Sequence, residues 1–123
     1  MTKEDISTGV QQPHGPVNDV VLCGRVAVLA TERELPSGDT IVTTRIVVDR
    51  DPSARAKSAQ RVDTLDCVAW TTRAQRSIRS WQPGDEVHVA GSIRRRFFRG
   101  VAGPVSRVEV EVKVARRLKR APG

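Results

Sequence analysis

The chain has 123 residues, of which 38% are hydrophobic and 28% charged, which suits one folded domain with a modest core and leaves too little for two. No apolar run approaches the roughly 18 residues of a membrane helix, and the opening "MTKEDISTGVQQPHGPVND" lacks the apolar centre of a secretory signal, so the expected compartment is the cytoplasm. The net charge of +7 points to a polyanionic partner, with a merely solubilising surface as the alternative.

Residues 1–17, with two prolines and no core-forming pattern, are expected to form a flexible leader, ahead of a single domain over residues 18–118 and a short basic tail over 119–123. From residue 20, "VVLCGRVAVLA" is apolar and β-branched, a strand that Gly24 allows to bend or bulge. "LPSGD" supplies the proline and glycine of a turn, and "TIVTTRIVV" follows as the returning strand, so residues 20–48 read as one long hairpin. Residues 49–61 contain no apolar side chain larger than alanine and read as an exposed loop.

"VDTLDCVAW" alternates, with Leu65, Cys67 and Ala69 on one face and Thr64, Asp66, Val68 and Trp70 on the other. In "TTRAQRSIRSW", Ala74, Ile78 and Trp81 form the apolar stripe of a short helix, which a threonine can cap and "QPGD" can end. "EVHVAGSIRRRFF" is a strand with Val87, Val89 and Ile93 inward, "RGVAGP" a loop, and "SRVEVEVKVARRL" a strand with Val108, Val110, Val112 and Val114 inward. The order strand, strand, strand, helix, strand, strand is that of the all-β OB-fold, a five-stranded, partly open Greek-key barrel with a helix between strands three and four.

Charge and aromatic content concentrate in one place. Residues 84–123 hold ten Lys and Arg against four acids, whereas residues 1–83 hold eleven against ten. Both phenylalanines of the chain lie in "GSIRRRFFRG". Strand parity turns Arg94, Arg96 and Phe98 outward together, which suits a nucleic acid: guanidiniums neutralise phosphates while a ring stacks on a base. The other parity directs Phe97 to close the barrel end, with Arg95 snorkelling past it. Phe98 has a competing role as a cover for the barrel end or a subunit interface, and Trp70 as a packing residue at the strand–helix junction. Trp81 belongs to the core. Asp66 would repel phosphate unless it pairs with Arg25 or Arg45.

The segments "NDVVLCGRV", "ER.LPSGD", "RIVVDR", "GDEVHVAGSIRRRFF" and "VEVEV", in that order and spacing from about Asn18 to Leu118, resemble the bacterial single-stranded-DNA-binding proteins, in particular a short paralogue type of high-GC Gram-positive bacteria. The resemblance implies a nucleoid-associated homotetramer that binds single-stranded DNA without sequence selection during replication, repair or recombination. It places base-stacking at Trp70 and Phe98 and phosphate contacts at Arg25, Arg33, Arg94 and Arg96; Arg45 and Arg99 complete the expected binding set. Two departures stand out. Thr64 occupies an often aromatic position and the 49–61 loop has no aromatic at all; the chain also ends "ARRLKRAPG", where the family carries an acidic, hydrophobic tip, so either recruitment of partners through such a tip is not expected or the sequence is a truncated form.

Other classes remain in contention. An RNA-binding OB domain would use the same groove and ring faces, and a protein-interaction module could dock an acidic partner on the basic face. Enzymatic activity is not expected: the sequence has no phosphate-cradling glycine loop and no nucleophile with a plausible histidine partner. No metal or other cofactor is expected, because His14 and His88 share no ligand spacing with Cys23 and Cys67. A disulfide between those cysteines is conceivable, but reduced, packed thiols are the expectation. His88 reads as an outward-facing surface histidine or, at most, a titrating nucleic-acid contact.

Overall fold

The computed structural model describes residues 14–55 and 57–122. Most of the leader, residues 1–13, lies outside them. The elements are β1 (Val20–Val26), β2 (Thr31–Glu34), β3 (Thr40–Asp49), α1 (Pro52–Arg55), β4 (Val62–Ala69), α2 (Thr72–Arg79), β5 (Glu86–Gly100) and β6 (Gly103–Lys119). The strands lie in the order β1-β5-β6-β4-β3-β2, and β1 also pairs with β3. That extra pairing closes β1, β3, β4, β6 and β5 into a ring, with β2 as a flap on β3. The β4–β6 contact is parallel, Cys67↔Val110 to Ala69↔Val112, and the other pairings are antiparallel. This is the OB barrel.

The expected hairpin over residues 20–48 divides in two. Most of β1 pairs with β5, from Val20↔Gly91 to Arg25↔Glu86. Only Arg25 and Val26 reach β3, opposite Val47 and Ile46. Gly24 sits where β1 passes between its two partners: a Cβ there would lie 2.3 Å from the Val47 carbonyl oxygen. The chain then bends, and β2 forms the true hairpin with β3, Thr31↔Thr43 to Glu34↔Thr40. Its tip is the anticipated turn, in which the Leu35 carbonyl accepts from Gly38 and the Leu35 N–H donates to Asp39. The 49–61 segment also gains a single turn, α1, whose start is tied when the Asp51 carboxylate accepts from the Ala54 N–H at 3.0 Å.

Helix α2 closes the bottom of the barrel. Thr71 caps it, its hydroxyl accepting from the Ala74 N–H at 3.2 Å. The apolar stripe is buried as the spacing predicts, Ala74 and Ile78 within the helix and Trp81 just beyond it. Gln75, also buried, spends its amide group on the carbonyls of Thr40, Ala69 and Trp70, which fastens the helix to the ends of β3 and β4. Ala74, Ile78 and Trp81 join Val26, Val42, Ile46, Val87, Val89, Val110 and Val112 in one core.

Strands β5 and β6 form one hairpin, and the loop expected at 99–104 shrinks to Val101 and Ala102 between Gly100 and Gly103. Inward parity fails for two of the four valines on β6. Val110 and Val112 are buried, but Val108 and Val114 are 44% and 47% exposed. Val114 turns out because the register skips Lys113: Ala90 faces Val114 while the next residue, Gly91, faces Val112. One extra residue switches the faces, so Ala115 packs against the core instead. The backbones converge there, and a Cβ on Gly91 would lie 1.9 Å from the Glu111 carbonyl oxygen. Val108 is exposed for a different reason, since the hairpin runs past the rim of the barrel. Phe97 is exposed with it, at 77%, so it does not close the barrel end and Arg95 has no buried ring to pass.

The two ends of the domain are joined at Asp85. Its buried carboxylate accepts from the N–H groups of Gln82 and Ala121 and from Arg117 Nε at 2.9, 2.7 and 3.0 Å. The Gln82 and Ala121 N–H groups, followed by Arg117, hold this carboxyl below the usual carboxylate range. A depressed folded-state value means that the stabilisation is complete above about pH 4 and is lost as pH falls through the folded value. Urea midpoints measured against pH should therefore fall on the acid side, and Asp85→Asn should lower the neutral plateau and flatten that limb; parallel curves would rule out this role. Gly91→Ala should destabilise the barrel by about 1–3 kcal/mol or more in the same measurement, because its Cβ meets backbone that has no side chain to move aside.

Candidate nucleic-acid interface

A cleft of about 670 Å³ runs across one side of the barrel. The bend after β1 and strand β2 form one wall, through Leu29 and Arg33; β3 and β4 supply Arg45 and Asp66; the projecting β5–β6 hairpin supplies Arg96, Phe97, Phe98, Arg107 and Glu109. The hairpin register places these last residues together. Phe98 lies opposite Val105, Arg96 opposite Arg107 and Arg94 opposite Glu109, and residues opposite each other in an antiparallel pair share a face.

Three exposed rings border this side, Phe97 at 77% exposure and two that each hold a cation. Trp70, at the end of β4, is 37% exposed, and Phe98 is 43% exposed. Each carries a guanidinium: Arg96 lies 5.1 Å from the Trp70 ring centroid and Arg107 lies 5.3 Å from that of Phe98. A cation over an exposed ring is worth about 0.5–1 kcal/mol, enough to hold these side chains in place without burying the rings.

The arginines are not bare. Arg45 Nε donates to Asp66 at 3.0 Å, Arg94 Nε to Glu111 at 2.8 Å and Arg96 Nε to Glu109 at 2.6 Å. Asp66 also lies 4.0 Å from Arg107, so it organises two cations across the cleft. Of its two expected partners it takes Arg45, while Arg25 is held by Asp49 through two hydrogen bonds of 3.1 Å. Most of these pairs are solvated. The Arg96–Glu109 pair is the least so, with the Glu109 side chain only 11% exposed.

The expected binding residues thus fall into groups. Arg33, Arg45, Arg96 and Phe98 line the cleft, Trp70 adjoins it beneath Arg96, and Arg94 continues the same face toward the barrel. Arg25 and Arg99 do not line it; Arg25 sits at the β1–β3 crossing and Arg99 at the hairpin tip, opposite Pro104. Arg107 was not anticipated in the cleft. Counting back from a two-residue turn at Val101–Ala102 would have set it against Arg96; assuming a longer loop hid that register.

Neither thiol nor imidazole adds chemistry to the cleft. Both cysteines are free; Cys23 is exposed rather than packed, while Cys67 is buried, and that burial pushes its thiol up to about 12. His88 does not line the cleft. It faces Cys23 and Arg116 across the neighbouring strands, and its Nδ1 is buried without a hydrogen-bond partner among the described residues.

Comparison with known proteins agrees with this architecture. A single-stranded DNA-binding protein of Oceanobacillus iheyensis is 31% identical over 87 residues, covering 71% of this chain and 53% of the relative; the chain thus spans about half the length of that relative. Among solved structures, the Plasmodium falciparum SSB complex with ssDNA superposes with a TM-score of 0.66 at 21% identity, over 81% of this chain and 89% of that one, a likeness of fold. The model of the single-strand binding protein family matches residues 17–118. That span takes in the ring of strands to within one residue of the end of β6, the exposed rings and every arginine of the cleft, and the chain belongs to the single-strand binding protein family.

Proposed function

We propose that this chain binds single-stranded DNA along the cleft, without sequence selection and without catalysis. Arg33, Arg45, Arg94 and Arg96 meet the phosphates, Trp70 and Phe98 stack bases, and Arg25 and Arg99 extend the path at either end. The observation that carries this reading is the pairing of two exposed rings with guanidiniums on one side of an OB barrel. Every base has a π-face and every nucleotide a phosphate, so such a surface accepts any sequence. The name of the Oceanobacillus relative and the single-stranded DNA in the Plasmodium complex support the same ligand. The working unit of this proposal is the domain over 18–118 with its basic tail over 119–123, assembled as the homotetramer that the family resemblance implies and acting in the cytoplasm on DNA exposed by replication, repair or recombination. No helix among the described residues is long and apolar enough to cross a membrane.

The direct test is a titration of tryptophan fluorescence with oligo-thymidine at several salt concentrations, with a matched duplex and a matched RNA as controls. Trp70 should be quenched by the single strand, with a log–log salt slope of about −0.7 per phosphate neutralised and little response to duplex. Stronger binding to the RNA would reassign the ligand, and failure to bind any nucleic acid would favour a protein partner.

Because Arg45, Arg94, Arg96 and Arg107 are already paired, phosphate must compete with carboxylates for them. Glu109→Gln releases Arg96 while keeping the shape of the side chain, and should tighten oligo-thymidine binding by about two- to fivefold or more at low salt, the lower end being the range for an exposed ion pair and this pair being the least solvated of the cleft. Unchanged or weaker binding would mean that Glu109 positions Arg96 rather than competing for it.

A further inference from the structure

Trp70 stands where the sheet ends. Ala69 is the last residue of β4 to pair, opposite Val42 on β3 and Val112 on β6, and Thr71 already caps α2. Among the described residues no strand pairing reaches Trp70 itself. Phe98 differs in this respect: it lies within the β5–β6 ladder, opposite Val105, so its backbone is fixed by the sheet.

One buried side chain takes over from the ladder at Trp70. Gln75, 7% exposed, donates from Nε2 to the Trp70 and Ala69 carbonyls at 3.2 Å each and to the Thr40 carbonyl at 2.7 Å. An amide nitrogen carries two hydrogens, so three carbonyls share them. The Gln75 backbone N–H takes up the next carbonyl along the chain, that of Thr71, at 3.0 Å. The amide is itself held in one direction. Its Oε1 accepts from Arg79 Nη2 at 3.3 Å, and Arg79 Nε donates to Glu32 on β2 at 2.8 Å. A reversed amide would set oxygen against three carbonyl oxygens and NH₂ against a guanidinium. A single series of hydrogen bonds thus runs from the β2 flap through α2 to the backbone of Trp70.

The bonds to Thr40 and Ala69 would be enough to fasten the helix. The bond to Trp70 does something further, because a ring rewards a base fully only if it is already held in place. Ordering a mobile side chain at the moment of binding costs conformational entropy. Arg96 lies over the ring face, but that contact is solvated, whereas Gln75 grips the backbone from the buried side.

We infer that Gln75 is a positioning residue of the single-strand site: it holds the Trp70 backbone, and with it the ring, ready to stack a base, while Arg79 and Glu32 hold Gln75 in its working direction. The inference rests on the cleft reading above and says how one of its rings is preorganised.

The test is a double-mutant cycle on oligo-thymidine affinity, read from the anisotropy of a labelled oligomer so that variants lacking Trp70 can be compared. Gln75→Leu removes the side-chain hydrogen bonds at similar volume. It should weaken binding about three- to tenfold, part of the loss expected for one stacked base, and leave the salt slope unchanged because no phosphate contact is lost. In a Trp70→Ala background the same substitution should change affinity by about twofold at most. Equal losses in both backgrounds, or no loss in either, overturn the inference and leave the cleft standing. A Trp70→Ala variant that binds as tightly as the wild type removes the platform and the inference with it, with Phe98 still in the cleft. A wild type that does not bind removes both readings. Should Gln75→Leu fail to fold, Arg79→Met decides, since Arg79 is exposed at the end of the helix. That variant should show less quenching of Trp70 at saturating oligomer than the wild type, and unchanged quenching overturns the inference.

Discussion

The register skip at Lys113 governs more of this molecule than any other local feature. β6 is seventeen residues long, too long for one face to remain inside a small barrel along its whole length. On one side of the skip, Ala115 packs on the core; on the other, Val112 and Val110 do. Every residue toward the hairpin tip inherits the second phase. It is this phase that turns Glu111, Glu109 and Arg107 toward the cleft, where they meet Arg94, Arg96 and Phe98. Had the strand kept the phase of Ala115, the same alternation would have turned these side chains to the opposite face. Gly91 makes the skip possible, because at that point the Glu111 carbonyl occupies the space of its missing side chain.

Closure of the barrel depends on a comparable economy at Gly24 and Asp85. β1 is bonded to β5 for most of its length and to β3 at its end, and the glycine lets it pass close to Val47. Immediately beyond, the Asp85 carbonyl accepts from the Val26 N–H and the Gly84 N–H donates to the Val26 carbonyl. The Asp85 side chain meanwhile binds Arg117 and the Ala121 N–H. The end of β1, the turn after α2 and the end of β6 are thereby held at one point, away from the cleft, so the hairpin can project without loosening the barrel.

The cleft is close to electroneutral, although the chain as a whole is strongly basic. Its ion pairs are mostly solvated, and such pairs contribute about 0–1 kcal/mol each. A stacked base contributes about 1–3 kcal/mol. In the proposed mode of binding, the rings therefore supply most of the net affinity, while the arginines exchange carboxylate for phosphate at little gain. Carboxylates in this arrangement keep the guanidiniums extended over the rings and keep a highly cationic hairpin from repelling itself.

The strands, the capped helix and the core stripe through Ala74, Ile78 and Trp81 were determined by the sequence, because each depends on periodicity and on contacts within a few residues. The same holds for the turn at Pro36–Gly38, the outward parity of Trp70 and Phe98, and the concentration of arginine beside both phenylalanines. What local pattern could not reveal was every feature that depends on a distant strand. The division of residues 20–48 between β5 and β3 follows from barrel closure. Val114 and Ala115 exchange faces because of a skip visible only against Ala90 and Gly91. Asp66 takes Arg45 rather than Arg25 because β3 and β4 place those two directly opposite. Phe97 had the parity of a core residue and lies in solvent because the hairpin outruns the barrel. Alternation assigns a side chain to one of two faces; only the tertiary structure decides where along the strand there is still a core for that face to meet.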